Sequence, residues 1–164
     1  MGAALRVVLL CAGLAVGVPL PAPADPPPAE AEVRSVMDAI ARAARARDLP
    51  QLAAVMAADC RVELRTLIGG REQITLLTRA EYVELLAGGY AALKDLEDYD
   101  YQVGAQQVSL ENDPPAATVV SQVTETMVFD GRRTLTASEE TARLERRGGR
   151  LLLVAVSSLT RALP

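Results

Sequence analysis

The stretch "SEETARLERRGGRLLLVAV", residues 138–156, decides the fold. Apolar and polar residues alternate on either side of Gly148-Gly149, the pattern of two half-buried strands joined by a tight turn. Neighbouring residues of a strand point to opposite faces, so one of the adjacent carboxylates Glu139 and Glu140 must face inward. A second hairpin signal, Asp130-Gly131, precedes this one and favours a two-residue turn. "ATVVSQVTETMVF" (117–129) is therefore a strand paired with "RRTLTASEETARLER" (132–146), and "RLLLVAVSSLTRA" (150–162) pairs on its other side.

The two turns set a register. Ser121 falls opposite Glu140, and Glu140 opposite Ser157. The face holding this row is the more apolar, so Glu140 is expected to point inward between two serines. Glu139 is expected outside with Val120, Val154 and Val156, and a bulge near Glu139 would exchange the two glutamates. Glu125 shares the inner face, next to Thr136 and near Arg161.

Upstream, "YDYQVGAQQVSL" (99–110) reads as a further strand, bulged at Gly104, and "ENDPP" (111–115) as the break after it. Val33, Val36, Met37, Ile40 and Ala44 recur at helical spacing and form one apolar stripe. The charges Glu30, Arg34, Asp38 and Arg42 ladder along the solvated side. "DLPQ" restarts a helix, with Asp48 as cap, Pro50 in the first turn and Gln51 at the capping-box position. "CRVELRTLI" (60–68) and "REQITLLT" (71–78) form a hairpin about Gly69-Gly70; a helix beginning at "GREQI" is the alternative. Thr78 and Glu81 are a capping box for a long helix that is expected to bury Tyr82, Leu85, Leu86, Gly89, Tyr90 and Leu93. Gly88-Gly89 inside it costs about 1 kcal/mol per glycine against alanine and marks a close approach or a bend. The acidic "LEDYD" (96–100) lacks calcium-loop spacing and is read as the end of that helix.

The order helix, helix, hairpin, long helix, four-strand meander resembles the nuclear transport factor 2-like superfamily, in its SnoaL-like and ketosteroid-isomerase-like members. The hairpin of residues 138–156 is similar to that superfamily's last one. The resemblance implies an α+β, cone-shaped fold: N-terminal helices on a curved, mostly antiparallel sheet ending in a four-strand meander, with a pocket at the open end. It also implies homodimers formed through the sheet in many members.

Composition bounds what such a pocket can do. The chain has 164 residues, half of them hydrophobic, which suffices for one domain with a real core. It contains no histidine, which excludes Ser-His-Asp and Cys-His catalysis and a His-ligated zinc. Net charge is −4, and 16 of the 17 basic residues are arginines interleaved with acids, not a nucleic-acid footprint. No catalytic residue, metal or cofactor is assigned.

The N-terminus reads as an export signal: one arginine, the apolar run "VVLLCAGLAVGV", then Ala22-Pro23-Ala24 as a cleavage site. The run is too short to span a bilayer, and Leu10 before Cys11 argues against a lipid anchor. Residues 1–24 are thus expected as a signal peptide, 25–29 as a Pro-rich leader and 30–164 as the domain. The protein is then periplasmic or secreted, with no integral span in the mature chain, and an intact mass starting at Asp25 checks this. Cleavage leaves Cys60 alone, without a disulfide partner, and it is expected to be buried and inert.

The functional expectation is an exported module with an apolar pocket, binding a small apolar ligand or assembling as a homodimer. Ligand-binding residues are expected to be Glu140, Ser121, Ser157, Glu125, Tyr82 and Tyr90. An isomerase-like enzyme using the inward carboxylate is an alternative, with Tyr82 or Tyr90 as hydrogen-bond donor. The resemblance places that family's base where this chain has Leu64, which weakens it. A dimerisation module without a ligand is the other alternative, through an outer face around Val120, Val154 and Val156.

Overall fold

The structure is a computed structural model, and it describes residues 26–92 and 98–163. The signal-peptide reading, Leu93 and the first two residues of "LEDYD" lie outside the described residues, while its Asp98, Tyr99 and Asp100 begin a strand and do not end the helix. Helix α1 (Glu30–Ala46) and the short α2 (Leu49–Ala54) precede a hairpin of β1 (Met56–Ile68) and β2 (Arg71–Thr78). Helix α3 (Arg79–Ala92) follows, and then the meander β3 (Asp98–Asn112), β4 (Pro115–Phe129), β5 (Arg132–Arg147) and β6 (Arg150–Leu163). The strands form one sheet in the order β2-β1-β6-β5-β4-β3. Every pair is antiparallel except β1 with β6, so the sheet is mixed and the expected α+β architecture is found.

Local chemistry explains the element ends. Asp48 caps α2, its carboxylate accepting from the Gln51 backbone N–H at 3.0 Å. The last carbonyls of α2 are met by arginines: Arg79 donates to Ala53 O and Arg150 to Ala54 O. Thr78 and Glu81 form a reciprocal capping box for α3, at 3.3 and 2.8 Å. The residue pairs at all three Gly-containing hairpin turns have positive φ, which is why glycine recurs there. Arg146 binds Glu32 through both guanidinium N–H groups, at 2.6 and 2.9 Å, and ties the first turn of α1 to the last hairpin.

The core lies between the helices and the concave face of the sheet. Val33 and Met37 of α1 pack with Met56, Cys60 and Val62 of β1, and with Ala117, Val119, Ala142, Leu144, Leu151 and Leu153 of the meander. Cys60 is buried, and burial pushes its thiol up to about 11, as suits an inert side chain.

Two expectations about α3 do not hold. It buries no residue completely, and Leu85 is 50% exposed, because the helix covers a cavity and not a filled core. Nor does the glycine pair mark a close approach: a Cβ at Gly88 or Gly89 would meet nothing within 4 Å. Gly88→Ala and Gly89→Ala should therefore each stabilise the domain by about 1 kcal/mol in urea denaturation. A loss of stability would mean that the pair is held by contacts the fold does not show.

Candidate functional site

The register across β4 and β5 is the expected one, with Ser121 opposite Glu140 and Glu125 opposite Thr136. Across β5 and β6 it shifts by one residue. Arg143 faces Ala155 while Leu144 faces Leu153, so Val154 is the extra residue of a bulge. Everything beyond it changes face. Ser158 and not Ser157 stands opposite Glu140, and Ser157 pairs with Thr141 on the outer side. Val156 turns inward, so the expected outer patch of Val120, Val154 and Val156 does not exist as such. Arg161 pairs with Ala137 on the outer face and is not a neighbour of Glu125. A second bulge, at Gly104-Ala105 of β3, is where the sequence placed it. It keeps Tyr99, Tyr101 and Val103 on the same face as Gln106.

Together these shifts leave a cavity of about 240 Å³ between the helices and the sheet, room for roughly eight waters at ~30 Å³ each. Its apolar wall comes from Met37, Ile40, Leu52, Met56, Leu64, Leu86, Leu153 and Val156. Its polar part comes from Glu140, Glu125, Ser121, Ser138, Ser158 and Thr160, with Tyr82 and Tyr90 from α3 and Tyr99 and Tyr101 from β3. Of the residues expected at a site, Glu140, Ser121, Glu125, Tyr82 and Tyr90 are brought together here and Ser157 is not. Tyr99 and Tyr101 were missed. The alternation in "DYDYQV" was their signal, since both fall on the side of Val103.

The polar groups differ in how far they are satisfied. Tyr99 donates to Glu125 Oε1 at 2.8 Å, and the Arg47 guanidinium lies over the Tyr99 ring, 4.8 Å from its centre. Ser138 and Thr160 bond each other at 2.8 Å, and Gln106 Nε2 donates to Ser121 Oγ at 3.4 Å. Neither Ser121 nor Ser158 bonds to the Glu140 beside it. Among the described residues its carboxylate accepts no hydrogen bond and joins no ion pair. Burial, with the Glu125 carboxylate as a second cause, pushes Glu140 up to about 7. Burial likewise raises Tyr82 and Tyr101, with Glu140 adding to both, so their hydroxyls stay protonated and able to donate.

Helices over the concave side of a six-stranded mixed sheet, with a cavity between the layers, define the cone-shaped class of the nuclear transport factor 2-like proteins. Within that class the chain belongs to the SnoaL-like domain family, whose model matches residues 28–156. It is similar to a conserved protein from Planctomyces limnophilus, at 16% identity and TM-score 0.64, over 82% of this chain and 97% of that one. An ntf2-like protein with a cystatin-like fold from Novosphingobium aromaticivorans gives 18% and 0.61, over 79% of each chain. The hexachlorocyclohexane dehydrochlorinase LinA-type3 from Novosphingobium barchaimii gives 14% and 0.58, over 78% of this chain and 83% of that one. At such identities the likeness is one of fold. No curated protein matches the chain.

Proposed function

We propose that this domain binds a small, largely apolar molecule in the cavity and holds it through Glu140. One observation carries the reading: an inward carboxylate without a hydrogen-bond partner among the described residues faces a cavity with an apolar wall and four tyrosines. A buried polar group left unmatched costs free energy, and a ligand donor would relieve that cost. A mostly apolar cavity with a few placed polar groups is the general form of a small-molecule site. Indole, with one N–H on an apolar ring, is a suitable probe. It should perturb the methyl signals of Met37 and Leu153, saturably, and bind more weakly to Glu140→Ala with no loss of stability. Indole leaving those signals untouched would end the proposal.

The same carboxylate also favours a second reading, proton transfer, because a base that titrates near neutrality suits general acid–base work. Deuterium exchange beside the carbonyl of bound cyclohexanone, lost in Glu140→Gln, would support catalysis; exchange at the solvent rate would leave binding alone.

Self-association through the outer sheet face is a separate proposal. The residues differ from those expected: Ile74 and Leu76 of β2 are 55% and 72% exposed. Leu76 borders an open groove of about 600 Å³ lined also by Leu77, Ala155 and Ser157, with Arg61 and Arg143. An exposed apolar patch of this kind commonly meets a partner. Leu76→Arg should convert a dimer to a monomer in light scattering, and a wild type already monomeric at high concentration refutes it.

A further inference from the structure

The chemistry of the cavity restricts its ligand further, if the binding reading above holds. Glu125 and Glu140 open into one space, from the adjacent strands β4 and β5. Among the described residues no lysine or arginine lines that space, and the chain has no histidine. Neither carboxylate joins an ion pair among the described residues. Each element packed around them adds apolar or neutral groups: Met37 and Ile40 from α1, Tyr82 and Tyr90 from α3, Tyr99 and Tyr101 from β3, Ser158 from β6. Two acids are thus walled in with four aromatic rings and, among the described residues, no lining cation. At the rim Arg47 already lies over the Tyr99 ring, so that ring takes a cationic group.

We propose that the cavity selects a small organic ammonium ion, with its N–H groups on Glu140 and its apolar body against Leu153, Val156, Met37 and Ile40. A charged donor makes a shorter and stronger hydrogen bond to a carboxylate than a neutral hydroxyl or amide does. It also gains attraction from the tyrosine faces, largest where water is excluded. A neutral donor satisfies the lone pairs of Glu140 but leaves the repulsion between Glu140 and Glu125 in place. An ammonium ion offsets both. An anion meets two like charges and is rejected.

Three probes of one shape test this by calorimetry on the whole chain at pH 7.5: benzylamine as its ammonium ion, benzyl alcohol and benzoate. Benzylamine is expected to bind at least tenfold more tightly than benzyl alcohol, with benzoate not binding. Glu140→Gln should abolish the preference for the amine while benzyl alcohol still binds. Glu125→Gln should reduce the preference less, because Glu125 already accepts from Tyr99. Benzyl alcohol binding as well as benzylamine, or a preference that survives Glu140→Gln, overturns the amine proposal and leaves the cavity as a site for neutral ligands. None of the three binding overturns the binding reading as well.

Discussion

Glu140→Gln is expected to be more stable than the wild type at pH 8, by about 3–4 kcal/mol, and by under ~1 kcal/mol at pH 4.5. The native carboxyl titrates at about 7, against roughly 4.3 for an exposed glutamate. Between these values the native state binds more protons than the unfolded chain. Stability therefore falls as pH rises through that window, and the penalty is constant above it. Glutamine keeps the shape and carries no charge, so the variant lacks this slope. The depressed carboxyls, Glu32 held down by Arg146 and Glu111 by Arg143, act in the opposite sense at lower pH. They are common to both proteins and cancel in the difference. Urea denaturation from pH 4 to 8 measures it. Parallel curves would mean that Glu140 finds a partner in solution, and the argument for a waiting carboxylate would fail with it.

Leu144→Ala should have the largest effect in the core, about 3–5 kcal/mol. Leu144 has no exposed surface and sits between Ala117 and Leu153 in the row next to the bulge. Ala117 is too small to move into the space, so the void persists and the upper part of the usual range applies. A domain of this size has only about 5–15 kcal/mol in all, so the variant should be close to unfolding at physiological temperature. The denaturation midpoint at unchanged slope reports it. A loss under 1 kcal/mol would show that the sheet and α1 close over the gap.

Much of this was legible because turn chemistry fixes pairing. Asp130-Gly131 sets β4 against β5, and period-two alternation then decides that Glu140 faces inward. The bulge at Gly104 was visible through its glycine. The one at Val154 was not, because nothing in "LLLVAVSS" distinguishes an irregular apolar strand from a regular one. That single residue moved Ser157 out and Ser158 in, and moved Val156 from the expected interface into the cavity wall. The shallow burial of α3 was hidden for another reason. Its apolar residues have helical spacing whether they meet a packed core or an empty space, and periodicity does not tell these apart.

The irregularity at Val154 works like a frameshift. The half of β6 near the Gly-Gly turn is read in one frame, with Leu151 and Leu153 toward the core, and the half beyond it in the other. Pairing Val154 with Arg143, in place of skipping it, would keep one frame throughout. Ser157 would then take the place of Ser158 beside Glu140, and Leu159 that of Thr160 beside Ser138. The lining would lose the Ser138–Thr160 bond and gain an isobutyl group, with no residue substituted. One skipped residue thus sets the polarity of half the cavity floor, and deleting Val154 outright, which removes only the skipped residue, is expected to leave Ser158 and Thr160 in place.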